Sequence, residues 1–366
     1  MTDAAPLPAY PASAEGFSPV LVRLAGVAAR HPAHALALLL RLQAQRAELA
    51  DWACAADALY LRFHLLEPRG RALELQGALQ QMAQQVAALP LQAARVAEAL
   101  GRVAYQQGNY LEATELWSRA VDLADAAPAP RVGVAARVGL GQIHYALGAW
   151  HTGLRFQRDA LQRLQVLAAP DSYLSAKVAL NLGVGHLESN QLEDAERQFS
   201  HALAAARRGG HREFEAEAHW YLARAALVRG QWPLATADCR LALNLAGRLQ
   251  HHWLEAAASR TWTEIALARG DEAAAIRSSR HGLELAERIA SKPQQRQAHL
   301  ELARLLEKRG EFEAALRHLW KVVALQAELE RHSLGAPGAP GGAAAYTGIS
   351  SLVSPSVTSA PLPRVS

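Results

Sequence analysis

The sequence predicts an all-α solenoid of about eight helix–turn–helix units, and three observations carry that prediction. The first is a period. A turn residue recurs at Gly108, Gly148, Asn190, Gly230, Gly270 and Gly310, in steps of 40, 42, 40, 40 and 40 residues. The second is an alternation of small and large residues locked to that period. Seven residues before each turn stand Gly101, Gly141, Gly183, Ala223, Thr263 and Ala303, and five after it stand Ala113, Gly153, Ala195, Ala235, Ala275 and Ala315. Four residues further on come Trp117, Gln157, Phe199, Cys239, Ser279 and Leu319. Small residues facing small ones, with a larger one beside them, let two helices approach and interlock. The third is composition: 51% of the residues are hydrophobic, alanine is abundant, and no long segment alternates with a period of two. Two short helices with one apolar stripe each bury too little surface to fold alone, so each unit needs its neighbours.

Taken in order, residues 1–16 carry Pro6, Pro8 and Pro11 and are expected to be disordered. They have no basic start and no apolar core, so no secretory signal is read there. Ser18 to Ala47 is a degenerate first unit with its turn at Arg30, broken at His31-Pro32, as an end cap should be. Trp52 to Leu66 is the next first helix. Arg71 to Leu89 is its partner, with the turn at Gly70 and Pro90 as the stop. The clearest unit is Glu98 to Ala124, hinged at Gly108-Asn109, where glycine or asparagine suits a left-handed helix end. Linkers follow at Ala127–Pro130, Ala168–Ser172, Gly209–His211, Gln250–His252 and Ser291–Pro293, and Asp171 or Ser172 can cap the helix after it. The last helix runs from Phe312 to about Arg331. Its stripe Val322, Leu325 and Leu329 is read as a cap over the final unit or as a short self-pairing seam. Residues 333–366 hold five glycines, five prolines and one charge, Arg364, and read as a disordered tail. The helical repeat domain is therefore placed at 17–332.

These units resemble the tetratricopeptide repeat, whose small–small–aromatic pattern they match and whose Leu-Gly pair returns as Leu100-Gly101, Leu140-Gly141 and Leu182-Gly183. The resemblance covers roughly 315 of 366 residues. Its period of about 40 is longer than the usual repeat, as in bacterial regulators of the MalT type and in the sensory regions that precede diguanylate cyclase domains. The run Ser279 to Glu330 is most similar to the latter. No GGDEF motif is present, so no cyclase activity is expected. The resemblance implies a right-handed superhelix with the first helix of each pair lining a concave groove.

Composition narrows the function classes. The formal charge is +4, and basic residues are spread over all units among acids rather than massed in a block, so nucleic-acid binding is not expected. No apolar run reaches membrane-spanning length. Cys54 and Cys239 lie in helical stripes and are expected to be free buried thiols of a cytoplasmic protein. The sequence shows no phosphate-cradling glycine loop, no CxxC pair and no H-E-x-x-H, so no catalytic site, metal or cofactor is assigned. His144 and His186 occupy one place in successive units and read as packed histidines; His251-His252 falls in a loop where adjacent side chains diverge.

The groove is the candidate site. In the repeat that the sequence resembles, the position after the small residue faces the groove; here it reads His64, Arg102, Gln142, Val184, Arg224, Glu264 and Arg304. Four residues earlier the series is Tyr60, Glu98, Val138, Leu180, Trp220, Arg260 and Leu300, with Tyr105 and Tyr145 three residues after Arg102 and Gln142. Arginine offers a planar fork to carboxylates and phosphates, and aromatic rings offer flat contact area. Lys177 and Asn181 stand where two members of the carboxylate-clamp subset would, but Val138 and Gln142 occupy the other clamp positions, so chaperone-tail binding is not expected. Two functions fit: a non-catalytic scaffold that holds a segment of another protein in the groove, or a sensor that binds a peptide or small ligand and acts on a separate output protein.

Overall fold

The computed structural model describes residues 17–28, 32–127, 129–167 and 170–334. The expected disordered segment at 1–16, the expected turn at Arg30 and all of the expected tail at 333–366 except Ser333 and Leu334, which end the last helix, lie outside them. Sixteen α-helices and two 3-10 turns make up the described chain, with no strand among these residues. They pair into eight units. The first four are α1 (Pro19–Ala28) with α2 (Pro32–Glu48), α3 (Trp52–Leu66) with α4 (Gln76–Gln85), α5 (Pro90–Gln106) with α6 (Tyr110–Ala126), and α7 (Pro130–Ala146) with α8 (Trp150–Gln165). The next four are α9 (Ser172–Glu188) with α10 (Leu192–Gly209), α11 (Arg212–Val228) with α12 (Trp232–Leu249), α13 (His252–Ala268) with α14 (Glu272–Arg288), and α15 (Lys292–Lys308) with α16 (Phe312–Leu334).

The turn ruler holds. Gly70, Gly108, Gly148, Asn190, Gly230, Gly270 and Gly310 all have positive φ, between 58° and 79°. The left-handed residue lets the next amide close the helix end: the Asn109 N–H reaches the Ala104 carbonyl at 2.9 Å, and the Gln231 N–H reaches that of Ala226 at 2.8 Å. Side-chain caps then start several helices. Asn109, Asp171 and Asp271 accept from the amides of Glu112, Leu174 and Ala274. Of the two cap candidates at 171–172, Asp171 is the one used.

The small–large register is the packing code. Trp117 and Phe199 are fully buried, and a Cβ added to Gly101 would stand 2.6 Å from the Trp117 ring. One added to Gly139 of the following unit would lie 2.5 Å from the same ring, so the indole is gripped by two glycines. Its N–H donates to the Glu98 carbonyl at 3.0 Å. Gln157, polar at the matching place, is also fully buried because its amide donates to the Val138 carbonyl at 3.1 Å. Gly183 meets Phe199 in the same way, and Ala113, Ala195, Ala235 and Ala275 are fully buried.

Two expectations need correction. The partner of α3 is not one helix from Arg71 to Leu89. A 3-10 turn over Ala72–Leu75 precedes α4, which ends at Gln85. Pro90 does not stop that helix; it opens α5 at the first position, as Pro130 opens α7, where no amide proton is needed. The second unit is stitched to the third by a pair the sequence pattern did not reveal, against which Phe17 ahead of the first unit packs. Arg95 donates to Asp57 at 2.6 Å in full burial, with Phe17 stacked 4.6 Å from the guanidinium.

Successive first helices α5, α7, α9, α11, α13 and α15 touch one another and form the inner layer. The chain also meets itself. A 3-10 turn at Glu67–Arg69 contacts α13, and α6 contacts α16. Gly70 abuts Ile289, and Gly108 abuts Leu329, each too closely to admit a side chain. Leu329, read as part of a cap over the final unit or of a self-pairing seam, packs against Gly108 of the third unit. The second and third units thus close against the seventh and eighth.

Candidate functional site: a walled interior

The closure turns the inner groove into two adjoining cavities of about 320 and 200 Å³. Glu67, Tyr105, Gln106 and Trp253 line both. The larger is walled by Tyr110, Trp220, Arg260, Arg296 and Glu301, and the smaller by Arg102, Gln142, Tyr145, Tyr173, Lys177 and Asn181, among others.

An ion network floors the smaller cavity. Glu98 is fully buried and accepts from the Tyr60 hydroxyl at 3.2 Å and from Arg102 at 3.4 Å, with the Lys177 ammonium 4.0 Å away. Burial alone would raise its pKa, but Lys177, Arg102, His64 and Tyr60 together hold it below the usual carboxylate value. Burial, with Arg102 adding to it, brings Lys177 down to about 8, and burial brings His64 down to about 4. Across the cavity His251 faces Glu217 at 3.7 Å; burial opposes its charge, yet the carboxylate lifts its pKa. In the larger cavity burial pushes Glu301 up to about 7 despite Arg260 at 3.6 Å. That carboxyl can donate or accept a hydrogen bond near neutral pH. The wall also carries unspent acceptors: the amide oxygens of Gln142 and Gln294 are buried with no hydrogen-bond partner.

The expected groove residues divide. Arg102, Tyr105, Gln142, Tyr145, Lys177, Asn181, Trp220 and Arg260 line the cavities. Tyr60 and Glu98 do not present free surface: at 1% and 0% exposure they lie beneath the wall, spent on each other and on Arg102 and Lys177. Arg224 lines neither cavity and is bound to Glu188 at 2.9 Å across the unit boundary. Arg304 is exposed and lines neither cavity. The Asn181 amide donates to the Lys177 backbone carbonyl and the Lys177 ammonium stands 4.0 Å from Glu98, so these two side chains do not form a free clamp. Among the described residues no group of three or more His, Cys, Asp or Glu is arranged to hold a metal ion, and no helix is long and apolar enough to cross a membrane.

Residues 134–208 match the tetratricopeptide repeat family. The described chain folds as a solenoid of the tetratricopeptide-repeat kind. No curated protein sequence matches it. Among solved structures, this tetratricopeptide-repeat solenoid is similar to a Rap protein complexed with competence and sporulation factor, with TM-score 0.65 and 14% identity over 85% of this chain and 86% of that one. It is also similar to the Rap conjugation gene regulator of plasmid pLS20 in complex with the Phr* peptide, with TM-score 0.59 and 17% identity over 79% and 78%. A third is the apo quorum sensor NprR from B. thuringiensis, with TM-score 0.55 and 12% identity over 80% and 82%. These likenesses show a shared fold.

The sequence reading missed wall residues of two kinds. Tyr173, Phe214 and Trp253 sit in the first turns of α9, α11 and α13, and their own spacing of 41 and 39 residues was a legible signal. Glu67 and Gln106, hydrogen-bonded to each other at 2.7 Å, meet Arg296 and Glu301 around one cavity only through the closure.

The buried histidines give the repeat protein an acid edge. Burial depresses both His64 and His211 to about 4. Between there and the ordinary value near 6.5 the unfolded chain binds protons that the native chain refuses, so this stability is complete above about pH 6.5 and is lost as pH falls toward 4. The melting temperature is expected to drop by about 5 °C or more between pH 7 and pH 5. His211→Asn should flatten that slope, and equal melting at the two pH values in the native chain would contradict the assignment.

Proposed function

We propose that this protein is a non-catalytic receptor for a short peptide held inside the closed solenoid, and that occupancy changes how it engages a separate output protein. The observation that carries this reading is the walling of the groove. A free peptide can enter cavities of about 320 and 200 Å³, whereas a segment within a folded partner needs an open trough. The lining suits a peptide main chain. Among the lining amides, those of Gln106, Asn181 and Gln294 each already donate one hydrogen bond within the chain, and the oxygens of Gln142 and Gln294 have no partner that a ligand amide would have to displace. Tyr105, Tyr145, Trp220 and Trp253 offer flat apolar contact for side chains. Arg102 and Arg260 already have acidic neighbours, so an acidic ligand side chain there must compete with Glu98 and Glu301, whereas Arg296 donates to the Gln326 amide oxygen at 2.9 Å. The fold shared with a Rap regulator bound to the Phr* peptide supports the same reading. Partner-segment binding in an open groove is the weaker alternative, because contacts between distant units occupy that space.

The test is a thermal-shift screen of synthetic peptides of about five to eight residues, followed by calorimetry. A hit is expected to bind stoichiometrically and to lose roughly 10-fold or more in affinity with Gln142→Leu, which removes the amide without adding bulk. A protein partner whose binding is indifferent to Gln142→Leu and Trp253→Ala would return the groove to the scaffold reading.

A further inference from the structure

α16 ends the described stack and leaves Leu316, Trp320 and Val323 exposed. The joint before it, between the seventh and eighth units, is covered but underfilled. In the third to sixth units the second helix brings to its joint a larger residue and, three positions on, an alanine: Trp117 and Ala120, Gln157 and Ala160, Phe199 and Ala202, Cys239 and Ala242. In the seventh unit the pair is Ser279 and Gly282. Gly101, Gly139 and Gly183 are pressed by the rings of Trp117 and Phe199, so that an added Cβ would stand 2.4–2.6 Å from one of them. A Cβ added to Gly282 would meet nothing nearer than the Ala256 carbonyl oxygen at 3.4 Å and the Ser259 Cβ at 3.5 Å, which is ordinary contact. The larger cavity runs into this gap, because Ser279 and Gly282 line it together with Ala256, Ala257 and Ala298.

The polar groups at the gap are unspent. Ser279 is 2% exposed, yet its hydroxyl has no hydrogen-bond partner. At the matching place Trp117 and Gln157 give an N–H to a backbone carbonyl, and the Cys239 thiol reaches the Ala258 carbonyl at 3.4 Å. From the eighth unit, Glu301 stands 22 residues after Ser279, the place that Gly139 holds against Trp117 and Tyr221 against Phe199. It lines the same cavity, with Arg260 at 3.6 Å. The charges on that wall balance, Glu67 and Glu301 against Arg260 and Arg296, so a charge on the entering group gains little. We propose that the gap takes a tyrosine side chain of the bound peptide, whose ring supplies the large residue missing from the joint and whose hydroxyl pairs with Ser279 and Glu301; this rests on the receptor reading of the cavities. The ring fills what Trp117 and Phe199 fill elsewhere, and Ala256, Ala257 and Ala298 offer it apolar contact. The hydroxyl satisfies a buried group that a phenylalanine would leave unpartnered. Burial raises the Glu301 carboxyl to about 7, so near neutral pH it can donate to that hydroxyl or accept from it.

The probe is p-cresol, the tyrosine side chain cut from its main chain, titrated into the full chain by calorimetry at neutral pH beside toluene, the same ring without the hydroxyl. p-Cresol is expected to bind with a dissociation constant of about 1 mM or lower, and toluene about 10-fold more weakly. Ser279→Ala should narrow that difference. Ser279→Phe, which restores the ring found in the fifth unit, should abolish p-cresol binding and raise the melting temperature of the empty chain. Gly282→Leu is the second filler should the first not fold. No binding of p-cresol, or binding that neither filler weakens, would overturn the proposal. Peptides separate it from the receptor reading. If p-cresol binds and is lost on filling while no peptide binds, the phenol site stands and the receptor reading fails. If a peptide binds equally well with its tyrosine replaced by alanine, and equally well to the Ser279→Phe chain, the receptor reading stands and the tyrosine site falls.

Discussion

Trp117→Ala is expected to cost about 3–5 kcal/mol of unfolding free energy, the range for truncating a buried aromatic side chain. The indole is fully buried, gripped by Gly101 and Gly139, and its N–H satisfies the Glu98 carbonyl. Truncation opens a cavity between the third and fourth units that neither glycine can fill. The loss should be local at first, because units in a solenoid touch mainly their neighbours. Hydrogen exchange is expected to rise in α5 to α8 before it rises in α11 to α14, alongside a lower urea midpoint. The complementary variant Gly101→Leu places its Cβ against the same ring and should cost about 1–3 kcal/mol or more by overpacking. Unchanged melting of both variants would mean that the small–large register is not what joins the units.

Glu98→Ala is expected to be equally severe, about 3–5 kcal/mol, for an electrostatic reason. The carboxylate is the shared anion of Arg102 and Lys177 and accepts from Tyr60, with no exposure of its own. Removing it leaves two cations facing each other in a desolvated wall. Lys177, already lowered to about 8, should fall further and lose its charge near neutral pH. Equilibrium unfolding at pH 7 checks the magnitude. Glu98→Leu combined with Lys177→Met should recover most of the loss, because an apolar replacement of a buried pair avoids the unpaired charge. If Glu98→Ala proves neutral, the cluster is hydrated and the cavity floor is softer than its geometry indicates.

Much of the site could be read from residue spacing, and the failures have a common cause. Arg102, Gln142, Tyr145 and Lys177 were found because each faces inward from its own helix, a property set within one unit. Tyr60 and Glu98 face the same way, yet they are consumed by the ion network beneath the wall. Facing a groove and being free to bind there are different properties, and only packing across units separates them. Arg224 went the same way, to Glu188 of the preceding unit. Glu67, Arg296 and Glu301 could not be found at all, since their neighbours across the cavity lie more than 150 residues away in the chain.

The sequence by itself determined the eight units, the left-handed turn in seven of them and the small–large joint in the third to seventh pairs. Those features depend on residues within one period and repeat it, so local contacts are enough to specify them. The tertiary structure alone decided that the solenoid closes. Each unit rotates slightly against the last, and the sum over six units brings Gly70 to Ile289 and Gly108 to Leu329. No single residue encodes that sum. Because it closes, a concave surface becomes two cavities, most of the predicted groove residues become their wall, and the open apolar face is left on α16.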